Sequence, residues 1–262
     1  MFSNGVMTLT IRNGVLALAF ILLLAQVLGY GVLAFLLVTR EGWGAVVGEG
    51  TLLRLLLGTV AVPIVSLAGF LLVRRAYRKS AAPEVFFFSL FLATLAGESL
   101  LLLQAWVTFA GMASYFTALL TRVVWAFRFT GLFLLFCSSL YAFDFPFRKY
   151  GNLVLASVAA GVFLAVLLPL HSSSARNHLL FAVGDAPGMV LVTGIFAAVA
   201  TLNFVAGALR AGSVSTGFRA WAAVSFVTAW ALSIVFGPWA IVLGVPGVVL
   251  VSWKAEQSPV FG

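Results

Sequence analysis

Charge is the scarcest thing in this chain. Only 8% of its 262 residues are Asp, Glu, Lys or Arg, where a water-soluble domain carries about 25%. So few charges cannot cover a water-facing surface, which excludes an ordinary soluble globular protein. Acids are scarcer still, 7 against 15 Lys and Arg. Proton pumps carry several acids in series and Mg²⁺ enzymes need an acidic pair, and neither is present. The only cysteine, Cys137, rules out an internal disulfide. The two histidines, His171 and His178, have no acid or thiol ligand beside them, so no metal site is expected. No span carries the lysine that a retinal Schiff base requires. There is also no His-Glu-x-x-His helix, Gly-x-Ser-x-Gly turn or P-loop. The sequence therefore reads as a non-enzyme, with no catalytic residues, no cofactor and no metal.

What is abundant is apolar surface, at 63% of residues. Spanning-length runs recur at about 14–38, 52–74, 85–108, 115–143, 152–170, 188–210 and 218–236. A shorter eighth run, about 239–253, contains Pro246 and reads as a short span, a re-entrant segment or an interfacial helix. The runs are continuous and do not alternate every second residue. In hydrocarbon such runs satisfy their backbone as helices. The expected fold is all-α: one polytopic integral membrane helical bundle over residues 1–262, with seven spans plus the eighth segment. The first run is about 24 residues long, beyond the 7–15 of a signal-peptide core, and reads as a retained helix. Pro63 is expected to kink the second run. Small residues four apart, Ser157 and Gly161, suit close helix packing.

The bases set the expected orientation. Arg12, Arg74, Arg75, Arg78, Lys79, Arg148, Lys149, Arg210, Arg219 and Lys254 fall on one side of an eight-crossing thread. Only Arg40, Arg54 and Arg176 fall on the other. The first side is then cytoplasmic, the membrane is the inner cell membrane, and both termini lie inside. Trp43, Trp106 and Trp239 near the outer boundary, and Trp221 and Trp253 near the inner one, agree with this threading. The net charge of +8 is thus a topology signal, and nucleic acid is not an expected partner. The expected partners are the lipid bilayer itself and a cytoplasmic or membrane protein that reads the basic loops. Arg74, Arg75, Arg78 and Lys79 are also suited to anionic lipid head groups.

Against this background Glu98 stands out, inside LATLAGESLLLLQAW at residues 92–106. Arg122 and Arg128 lie on the next run, which returns after a short loop. Counting from the outer ends at 1.5 Å per residue puts Glu98 at roughly 15 Å, between the two arginines at roughly 10 and 20 Å. Charges in hydrocarbon are costly, face the bundle interior and pair. The two arginines are 600° apart in helical phase, or 120° around the axis, so they do not share one face. One glutamate cannot neutralise both. The candidate intramembrane polar site comprises Glu98, Arg128, Arg122, Gln104, Trp125 and Asn203. As a pocket, its floor would be Glu98, Arg128 and Gln104, with Trp125 as an aromatic wall. As a packing device, Glu98 and one arginine fix the helices while Arg122 snorkels outward. Two functional classes follow: a receptor-like or accessory membrane module, and a transporter, or membrane subunit of one, for a polar or anionic solute. The lack of a visible internal repeat favours the first.

Overall fold

The computed structural model describes residues 9–41, 62–64, 66–71, 83–109, 114–142, 150–175, 181–183 and 186–211. They form helices α1 (Leu9–Glu41), α2 (Pro83–Leu95), α3 (Leu100–Phe109), α4 (Ser114–Ala142), α5 (Tyr150–Leu167) and α6 (Ala186–Ala211). A 3₁₀ turn, η1 (Ala96–Ser99), joins α2 to α3, and strands β1 (Leu170–Ala175) and β2 (Phe181–Val183) join α5 to α6. A short apolar helix, Val62–Leu71, belongs to the second expected run, with Pro63 near its start. Among the described residues, five helical stretches are long and apolar enough to cross a membrane: Asn13–Leu36, Phe86–Gln104, Tyr115–Tyr141, Tyr150–Leu167 and Pro187–Gly207. They coincide with the first, third, fourth, fifth and sixth expected runs. The expected spans at 218–236 and 239–253 lie outside the described residues, as do Arg74, Arg75, Arg78 and Lys79.

Local chemistry explains several helix ends. Pro83 opens α2 and Pro187 lies in the first turn of α6. A backbone N–H has no intrahelical partner at those positions, so proline costs nothing there. The helix α5 ends just ahead of Pro169, because a following proline disfavours helical backbone. Arg210 in the last turn of α6 complements the partial negative charge of that end.

Burial separates a centre from a periphery. The Phe86–Gln104 and Tyr115–Tyr141 stretches are mostly buried, whereas those of α1, α5 and α6 are mostly exposed or half-buried. The peripheral helices point large apolar side chains outward: Leu28 and Phe35 on α1, Leu155 and Phe163 on α5, Leu202 and Leu209 on α6. An apolar exterior of this kind suits lipid tails, where water would have demanded a polar face.

The central helix α4 is gripped from both sides. At one end Phe87, Tyr141 and Tyr150 form an aromatic ladder across α2, α4 and α5, with successive ring centroids 5.4 Å apart. Phe196 of α6 sets its ring edge-on to Phe133 and Phe136 of α4. Gly161 of α5 faces Thr130 so closely that an added Cβ would sit 2.7 Å from the Thr130 backbone nitrogen. This is the close approach expected from the small residues at 157 and 161, both buried.

Two features depart from the sequence reading. The third run, expected as one continuous helix over 85–108, tightens into η1 at its middle. The segment after α5, which falls between the fifth and sixth expected runs and so reads as a loop, pairs as an antiparallel hairpin, Leu170 with Val183 and His171 with Ala182. Strand pairing gives a connecting segment partners for its backbone groups without a long helix.

Candidate functional site

The inward face of α4 carries Thr121, Val124, Trp125, Arg128, Leu132, Leu135, Ser138 and Ser139 at helical three- and four-residue intervals, all buried. Arg128 falls in the middle of that stripe. It is only 9% exposed, Trp125 only 8%, and the guanidinium carbon lies 4.8 Å from the Trp125 ring centroid. That is the geometry of a cation held over an aromatic face, an attraction that strengthens when water is excluded. Arg122, a third of a turn round, is exposed. The 120° separation read from the sequence thus sends one arginine inward and the other outward.

Side-chain contacts fix the register of α4 against α2, η1 and α3. A Cβ added at Gly97 of η1 would run into the Phe127 ring. One added at Gly131 would lie 2.5 Å from the Thr94 hydroxyl of α2. Leu101 of α3 packs on Val124. These pairs share one antiparallel register, and it places η1 level with Phe127 and Arg128. Glu98 belongs to η1; its side chain lies outside the described residues. Its backbone is therefore nearer the level of Arg128 than that of Arg122, which is five residues from Phe127, or about 8 Å along the axis. The even bracketing expected from loop counting gives way to this register.

The turn itself is polar. The Ser99 hydroxyl donates to the Ala96 carbonyl, and one turn earlier Thr94 donates to the Phe91 carbonyl at 2.7 Å. Tyr30 of α1 lies beside Ser99 and packs on Leu102. Gln104 is fully buried on α3, about 8 Å past the turn by helical rise. On the opposite side, Trp125 packs with Phe129, Ala165, Leu168, Leu170 and Met189. One edge of the candidate site is thus an apolar plug where α5, the hairpin and α6 meet.

Asn203 stands apart. Its amide donates to Ser139 at 3.2 Å, and Ser139 is eleven residues from Arg128, about 16 Å along α4. With the Cys137–Ser157 contact at 3.8 Å, it ties α4 to α5 and α6 toward the other end of the bundle. The structure therefore brings Arg128 and Trp125 into contact, sets the backbone of Glu98 at their level, and keeps Arg122 and Asn203 away. Sequence reasoning missed Thr121, Ser99 and Gly97. Thr121 was findable, because it lies seven residues before Arg128 and so on the same helical face. Comparison with family models, curated proteins and solved structures finds no match for this chain.

Proposed function

We propose that this chain is a multi-pass inner-membrane protein of the receptor-like or accessory kind, with an intramembrane site for an anionic or polar small molecule. The observation that carries the reading is the buried guanidinium of Arg128, laid on Trp125 and level with the turn that holds Glu98. A charge at such depth is expensive, and bundles that keep one use it for pairing, ligand binding or transport. A guanidinium offers a fork of donors matched to carboxylate-like groups, and Trp125 supplies the flat apolar wall that small-molecule sites favour. The basic loops then face the cytoplasm and offer a surface to a partner protein or to anionic lipid.

A transporter, or a membrane subunit of one, is the second reading, and η1 favours it. Interrupted helices near mid-membrane are a recurrent feature of solute carriers. Against it, no other span among the described residues carries such a turn. Purified protein in liposomes separates the two. Small organic carboxylates should raise the thermal midpoint of the wild type, Arg128→Met should abolish that shift, and no labelled carboxylate should accumulate in the lumen. Accumulation above empty liposomes would replace the receptor reading with the transporter one. No shift and no accumulation would remove both.

A further inference from the structure

We propose that Arg122 is a lipid site: its guanidinium holds the phosphate of an anionic phospholipid at the membrane surface where α5 ends and α6 begins. The inference needs the chain to lie in a bilayer, and it does not depend on a ligand at Arg128.

Two counts give the level of Arg122 in the bundle. At one end, Tyr141 of α4 meets Tyr150, the first residue of α5, ring to ring at 5.4 Å. Tyrosines gather at the boundary between hydrocarbon and head groups. Arg122 lies nineteen residues before Tyr141, about 28 Å along the axis, and the hydrocarbon layer is about 30 Å thick. The second count runs along α5. Its 18 residues rise about 27 Å, and beyond its last turn Leu168 and Leu170 pack with Trp125 and with Met189 of α6. Thus α5 stops and α6 starts about one turn from the level of Arg122. With Tyr141 at one boundary, Arg122 is at the other. The roughly 10 Å of depth expected for it from loop counting shrinks to the boundary itself, while Arg128, six residues on, stays about 9 Å inside.

The side of α4 that carries Arg122 suits a lipid head group. Tyr115 and Arg122 are seven residues apart, about 20° from sharing one face, with Leu119 between them, and all three are exposed. Helical side chains lean toward the N-terminal end of their helix. Arg122 therefore reaches toward Tyr115 and the head-group layer, and away from the tails. Phe116 sets its ring edge-on to that of Tyr115, and aromatic side chains of this kind favour the membrane surface. One turn further in, Ala126 packs with the Trp125 cluster, so the exposed strip ends at Arg122. A guanidinium grips a phosphate through two parallel hydrogen bonds. A zwitterionic head group sets its own ammonium beside that phosphate and an anionic one does not, so charge favours the anionic lipid.

Lipid-specific quenching tests this in phosphatidylcholine liposomes, in a Cys137→Ala background. A fluorophore is placed on Leu119→Cys, and separately on Val32→Cys, which is exposed on α1 two residues past the Tyr30 that lies beside Ser99. The quencher is a minor fraction of phosphatidylglycerol, or of phosphatidylcholine, carrying a nitroxide high on one acyl chain. The proposal predicts that phosphatidylglycerol is preferred at Leu119→Cys by about fivefold and at Val32→Cys not at all. Arg122→Leu should abolish the preference, and Arg122→Lys should retain most of it. Inorganic phosphate should leave it unchanged. If Arg122→Leu does not fold, the two label positions compared with Arg122 intact decide alone. Equal quenching by the two lipids at Leu119→Cys, an equal excess at both positions, or an excess that survives Arg122→Leu would overturn the site. Loss of the excess on adding inorganic phosphate would assign Arg122 to a free anion and overturn the lipid. Quenching at neither position by either lipid would overturn the membrane reading together with the site.

Discussion

At the scale of the residue, the account turns on one register. Gly97 against Phe127 sets Glu98 within about two residues, roughly 3 Å, of the level of Arg128, and shared depth is what an ion pair in hydrocarbon requires. We expect the Glu98 carboxylate to pair with Arg128 inside the bundle. Removing one member of a buried pair leaves the survivor as a charge without its counterion, and that penalty reaches about 3–5 kcal/mol. Glu98→Gln should therefore lower the thermal midpoint of the detergent-solubilised protein, and adding Arg128→Met should recover part of the loss. Rescue by Arg122→Met in place of Arg128→Met would assign the pair to the other arginine. Additive losses in both double mutants would dismiss it. The sequence put both arginines within reach of Glu98. What it could not show was which of them the neighbouring helices cover, because 120° of helical phase says only that they differ.

At the scale of the element, close approach is the recurring device. Gly161 and Gly194 make an informative pair. A methyl at Gly161 meets the Thr130 backbone at 2.7 Å, whereas one at Gly194 meets nothing within 4 Å among the described residues. Overpacking of this kind costs about 1–3 kcal/mol, so Gly161→Ala should lower thermal stability clearly. Gly194→Ala should leave it unchanged or slightly raised, since alanine is the better helix former. Equal effects in a melting experiment would mean that α5 does not seat on α4 as described. The five membrane-length helices were legible in the sequence because a bilayer imposes length and apolarity on each run separately. The turn η1 was not, because its cause is tertiary. The run Ala-Gly-Glu-Ser holds no proline, and Gly97 acquires its meaning only from Phe127. The hairpin after α5 was hidden likewise, since its short strands gain from pairing with each other more than from their own propensity.

At the scale of the whole molecule, the arrangement is a buried pair of central elements, α4 and α2–η1–α3, with α1, α5 and α6 turning apolar faces outward. The proposed orientation has its own check in intact spheroplasts. An impermeant thiol reagent should label Ser173→Cys and spare Ser80→Cys, and the opposite pattern would invert the thread. The central claim is that the level of Arg128 is a site reached by polar solutes and not a dry packing contact. Thr121 reports on it, being buried on the same face of α4, seven residues before Arg128. The direct measurement is the reaction of Thr121→Cys, in membranes and in the Cys137→Ala background, with a small hydrophilic thiol reagent. Tyr115→Cys, exposed at the N-terminal end of the helix, serves as the reference. The account predicts that Thr121→Cys reacts to completion, more slowly than Tyr115→Cys, and that small organic carboxylates slow it further only while Arg128 is present. A Thr121→Cys variant that stays unmodified while Tyr115→Cys reacts fully, and that reacts once the protein is unfolded, would contradict it.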